Sequence, residues 1–174
     1  MNKIIFFSNN ISKQKEIASL FEKVDVELFY PKMFNLKIEP KEIGNSFAEN
    51  AKIKSLFGFT KTKIPCFADD SGICIEALGW KPNIKSKRYI DNFRNRDECF
   101  RYIINKTKKN KTSKAFFQTS ISYTIKNNYH ILFSGKIHGR ISNKALGKNG
   151  FGYDPIFIPD GCKKTFGEML SKEK

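Results

Sequence analysis

The chain has 174 residues, of which 40% are hydrophobic, 14% aromatic and 28% charged, and it carries a formal net charge of +15. That balance excludes a disordered, collagen-like or membrane-embedded chain and fits one domain of ordinary size. The basic excess suits a polyanionic partner, whether nucleic acid, acidic membrane or nucleotide, and does not choose among them.

The first apolar run, Ile4 to Phe7, is too short for a signal-peptide core or a membrane span, which predicts a cytoplasmic protein. Cys66, Cys74, Cys99 and Cys162 form no CxxC pair and are expected to be reduced and mostly buried.

Lys3 to Phe7 reads as a strand, Ser8 to Ser12 as a polar loop, and Ile17, Leu20, Phe21 and Val24 as a helical stripe capped by Ser12. Lys13 then falls in the first helical turn, where free backbone N–H groups favour an anion. Val24 to Tyr30 predicts a second strand. A loop around Pro31, Pro40 and Gly44 leads to a helix from Ser46, on which Asn50 and Lys54 share a face. Ile64 to Ala68 predicts a strand that delivers Asp69, Asp70, Ser71 and Gly72 at its end.

Phe93, Cys99, Phe100, Ile103 and Ile104 give a helical stripe, followed by a lysine-rich exposed loop from Lys106 to Lys114. Ala115, Phe117, Ile121, Tyr123 and Ile125 alternate; with Asn127-Asn128 and Tyr129 to Phe133 they predict a β-hairpin. Gly147 to Gly152 is a glycine-rich loop and Ile156 to Ile158 a short strand. Thr165 with Glu168 has the capping-box spacing of a final helix.

Two adjacent acids at a strand end offer hard oxygen ligands of the kind that suit magnesium, while Asp-Ser-Gly also makes an ordinary surface turn. Ser46 to Glu49 matches a capping box, which would occupy Glu49 structurally. Lys13, Lys54 and Lys174 can neutralise phosphate or simply be solvated. The glycine-rich loop lacks the order of a P-loop, and His130 and His138 have no paired nucleophile, so neither feature is assigned a role on its own.

Taken in order, Ser8 to Lys13, Glu42 to Ala51, Ala68 to Gly72 and Phe151 to Pro155 resemble the inosine/xanthosine triphosphate pyrophosphatase family. Gly79, Pro82, Ser86, Arg88, Tyr89 and the terminal Glu173-Lys174 extend the likeness over almost the whole chain. The resemblance implies an α/β fold in which a long mixed bent sheet is flanked by helices, in two lobes with a central cleft. It also implies one domain over residues 1–174 that ends before a Ser-His-Arg motif and a C-terminal helix.

The implied activity is Mg2+-dependent hydrolysis of deaminated purine nucleoside triphosphates to the monophosphate and pyrophosphate, by a cytoplasmic homodimer with no membrane and no specific nucleic-acid partner. By the same resemblance Asp70 is general base and metal ligand, with Asp69, Glu42 and Glu49 as metal-site acids. Ser8, Asn9, Asn10, Ile11, Ser12, Lys13, Lys54, Ser71, Phe151, Gly152, Tyr153, Asp154 and Lys174 are implied to contact substrate. Two other readings are an impaired, truncated remnant of such an enzyme and a basic nucleic-acid-binding module.

Overall fold

The computed structural model describes residues 2–36, 38–127 and 129–174. Among the described residues seven strands form one mixed sheet: β1 (Asn2–Phe6), β2 (Val26–Phe29), β3 (Cys66–Ile75), β4 (Lys81–Pro82), β5 (Lys114–Lys126), β6 (Tyr129–Ile141) and β7 (Phe157–Pro159). Their order is β2-β1-β3-β5-β6-β7, with β4 paired to β3. The helices are α1 (Ile11–Phe21), α2 (Phe47–Thr62), α3 (Ser86–Asp91) and α4 (Arg96–Lys109). Two compact units are built from this chain: Met1–Asp70 with Thr119–Gly135, and Ser71–Gln118 with Lys136–Lys174.

In the first unit β1 runs parallel to β2 and to β3, with Ile5 opposite Cys66 and Phe6 opposite Phe67. Parallel strands need crossover connections, and α1 and α2 lie in the two intervening stretches of chain. Ile5, Phe7, Phe59, Cys66 and Ala68 form the core. Gly58 of α2 is required by that packing: a Cβ there would sit 2.5 Å from Cys66 Sγ and 2.7 Å from Phe7 Cδ2.

The alternation of β5 has a different consequence here from the one the sequence suggests. Ser120, Ser122 and Thr124 are its buried side chains in this unit, and the Ser55 hydroxyl of α2 lies 2.9 Å from that of Ser122 and 2.8 Å from that of Thr124. A polar row is buried because its hydroxyls bond one another.

In the second unit Cys99, Phe100, Ile103 and Ile104 of α4 pack with Ile73, Ile75, Ile156 and Phe157, the stripe read from sequence. The lysine-rich segment is less of a loop than predicted: Lys106, Lys108 and Lys109 close α4, where cations favour the helix C-terminus, and Lys114 opens β5.

Other boundaries also move. The N-cap of α1 is Asn10, not Ser12, because the Asn10 side-chain Oδ1 accepts from both Ser12 N–H and Lys13 N–H. No residue of α1 is buried, so the predicted stripe is largely solvated. Strand β3 continues through Asp69, Asp70, Ser71 and Gly72 instead of ending before them. Thr165 and Glu168 make capping contacts, yet no helix follows over 165–174, where the chain runs in turns. The predicted Asn127-Asn128 turn includes Asn128, which lies outside the described residues. Among the described residues no helix is long and apolar enough to cross a membrane.

Candidate active site

The first unit gathers three acids and two lysines around the middle of β3. Because side chains alternate along a strand, consecutive Asp69 and Asp70 serve two different helices instead of turning to one side as expected at a strand end. Asp69 Oδ2 accepts from Lys13 Nζ of α1 at 2.5 Å. Asp70 meets α2: its Oδ2 accepts from Asn50 Nδ2 at 3.0 Å, and its Oδ1 lies 3.6 Å from Lys54 Nζ. Lys54 also donates to Glu42 Oε1 at 2.9 Å, so one ammonium is shared by two carboxylates.

Asn50 and Lys54 are one helical turn apart and both buried, and so is Asp70, at 7% exposure. Burial pushes the Asp70 carboxyl above its ordinary value and Glu42 adds to this, against the opposing pull of Lys54, Asn50 and Lys13. For Lys54 burial works downward, but Asp70, Asp69 and Glu42 outweigh it and hold the ammonium above the usual lysine range.

The loop before α1 is organised by its own polar groups. Ser8 Oγ accepts from Asn10 N–H, the Ser8 carbonyl accepts from Gln14 Nε2 at 2.6 Å, and Asn9 N–H donates to Glu39 Oε1 at 3.1 Å. Ile11 is 62% exposed and makes the surface at the helix start. Glu49 stands apart from the Asp70 group: its Oε2 accepts from Asn45 N–H at 2.7 Å while Ser46 Oγ accepts from Glu49 N–H. It acts as a helix cap, the structural alternative read from sequence.

In the second unit Ser71 continues β3, and the Phe151–Asp154 turn is fastened by Asp154. Its Oδ2 accepts from Phe151 N–H at 3.1 Å and from Lys174 Nζ at 2.7 Å. Gly152 has φ 58°, a value that favours glycine. Tyr153 is a core residue; its hydroxyl donates to the Ser86 carbonyl at 2.7 Å, so it holds the turn in place.

Sequence reasoning did not assign Asn50, Gln14 or Glu39 to the site. The one available signal was the four-residue spacing of Asn50 and Lys54; the other two act through backbone groups that no side-chain pattern marks.

The donor set fits a magnesium ion. Among the described residues no three His, Cys, Asp or Glu side chains form a metal-holding group. Magnesium, however, takes one or two carboxylates and completes its shell with water and substrate phosphate. Glu42 and Asp70, which already share a cation, are carboxylates of that kind.

The Ham1 family profile matches residues 4–174. A dITP/XTP pyrophosphatase of Leptospira interrogans is 36% identical over 169 residues, covering 96% of this chain and 85% of the relative. One from Aquifex aeolicus is 32% identical, covering 99% and 88%. Among solved structures, a HAM1 protein from Coxiella burnetii superposes with a TM-score of 0.88 at 29% identity, covering 99% of this chain and 89% of that one. The Staphylococcus aureus Ham1 protein gives 0.84 at 30%, covering 98% and 88%. With a profile match of that length, relatives above 30% identity and the same α/β fold of mixed sheet and flanking helices, the chain belongs to the Ham1 family.

Proposed function

We propose that this chain hydrolyses deaminated purine nucleoside triphosphates, dITP and XTP among them, to the monophosphate and pyrophosphate. The names of its relatives support that substrate class. The observation that carries the chemistry is Asp70, a buried carboxylate held by Asn50 and Lys54.

Attack on a triphosphate brings an oxygen nucleophile against a polyanion, so the site must position water, accept its proton and neutralise charge. Asp70 accepts the proton from the attacking water, and Asn50 fixes the carboxylate's orientation. Lys13, at the positive end of α1, receives phosphate oxygens, with Asp69 setting the Lys13 ammonium. Lys54 keeps Asp70 ionised and can pass from Glu42 to a phosphate.

Glu42 and Asp70 would hold magnesium, which when bound supplies further charge neutralisation and a more acidic water. Nucleoside recognition is assigned to Phe151, Gly152 and Asp154 with Lys174, Tyr153 acting from beneath, and Ser71 to substrate contact. Magnesium as the physiological ion, a homodimeric state and a cytoplasmic location rest on the same resemblance.

The test is pyrophosphate release from dITP, XTP and the four ordinary dNTPs, with and without magnesium. Activity on dITP and XTP that needs the metal is expected. Asp70→Asn should lower turnover by roughly 10²-fold or more with unchanged circular dichroism; near-normal release from that variant would refute the role.

A further inference from the structure

Trp80, the chain's one tryptophan, lies in the second unit and is not among the residues assigned above. Its φ of 62° is a conformation that favours glycine and is unusual for a bulky side chain, and it remains 43% exposed. Trp80 N–H donates to the Ile75 carbonyl, which secures the turn, while the ring packs on Phe116 with centroids 5.4 Å apart. Phe116 in turn meets His138 at 5.6 Å, and Lys136 Nζ lies 4.8 Å from the Phe116 centroid.

These contacts define one face of the sheet. Lys114, Phe116 and Gln118 of β5 and Lys136, His138 and Arg140 of β6 occupy alternate positions, whereas the intervening Ala115, Phe117 and Ile141 belong to the core or pack against it. None of the six is acidic or aliphatic. Lys114, Lys136, His138 and Arg140 are exposed, as is Lys81 beside Trp80, and Arg140 also donates to the Cys162 carbonyl.

We propose that this face binds single-stranded nucleic acid without sequence preference. A line of three rings flanked by cations matches what such a strand offers: unpaired bases to stack on aromatics and phosphates to meet Lys114, Lys136 and Arg140. A duplex hides its base faces. A membrane surface requires a run of exposed aliphatic side chains, whereas Ile158, opposite Arg140 on β7, is half-buried, and a second copy would oppose like charges across a two-fold interface.

The experiment titrates the full chain with fluorescein-labelled dT8 at low salt, with saturating dITP and no metal so that the nucleotide site is filled. Binding is read by anisotropy and by Trp80 fluorescence. The expected result is quenching of Trp80 and an affinity that falls with salt at a log–log slope of about −2, the value for three phosphate contacts. Phe116→Ala should weaken dT8 binding by roughly 5-fold or more, as loss of one stacking partner predicts. Trp80→Gly should weaken it likewise while raising Tm, a combination that a merely structural role does not produce. Neither variant should change dITP turnover. The proposal is overturned if dT8 fails to bind, or if neither substitution weakens its binding. It is equally overturned if Trp80 responds to phosphatidylglycerol vesicles or a hairpin duplex instead of dT8, or if Trp80 becomes protected by protein self-association in the absence of dT8.

Discussion

Lys54 is the residue on which the charge balance of the first unit turns. It satisfies Glu42 and faces Asp70, and its side chain is only 11% exposed. Replacing it with methionine keeps the aliphatic stem but leaves buried carboxylate uncompensated. Lys54→Met should therefore destabilise the metal-free protein by about 3 kcal/mol at pH 7, measured by urea unfolding.

The pH dependence follows from the direction of the shift. Because the folded state raises the Lys54 pKa above 10.5, the stabilisation is fully present below that value and is lost as pH rises through the higher folded value. The difference between parent and variant should shrink in alkaline buffer above pH 10.5. A difference that stays constant there would show that packing, not charge, accounts for the loss.

Among the elements, α2 has the closest fit. Its N-terminus is closed by Ser46 and Glu49, its middle presents Asn50 and Lys54 to Asp70, and its Gly58 lets the helix backbone approach Phe7 and Cys66. Gly58→Ala improves helix propensity, yet the added methyl overlaps two core side chains. Overpacking should win, with a net loss of roughly 1–3 kcal/mol by denaturant melting; a gain in stability would show that the core can yield.

The same helix shows what a sequence can and cannot disclose. The capping box and the pairing of Asn50 with Lys54 are local and periodic, hence readable. The hydroxyl cluster of Ser55 with Ser122 and Thr124 is not, because each residue alone reads as polar and solvent-facing. Strand β3 runs further than its sequence predicts for a related reason. Asp, Ser and Gly favour turns locally, and only lysines contributed by α1 and α2 make two acids tolerable inside a buried strand.

For the molecule as a whole, the cysteines provide a test of packing in both units. Cys66, Cys74 and Cys99 are buried free thiols; burial pushes Cys66 up to about 12 and Cys74 and Cys99 to about 11, nearby Lys136 offsetting Cys74 only in part. Cys162 is half-buried. In native protein at pH 8 one thiol should react readily with a thiol reagent and three should appear only on unfolding, since the thiolate is the reactive form. Mass mapping that places fast labelling on Cys66 or Cys99 would contradict the packing described.

The order of the elements, the helical stripe of α4, the capping box of α2 and the family likeness were present in the amino-acid string, because they depend on spacing between neighbours. The pairing of Asp69 with Lys13, the sharing of Lys54 by Glu42 and Asp70, the burial of hydroxyls on β5 and the ring line from Trp80 to His138 came only with the tertiary structure. Each of these joins residues far apart in the chain, and whether a carboxylate or a hydroxyl is costly or stable there depends on a partner that only folding supplies.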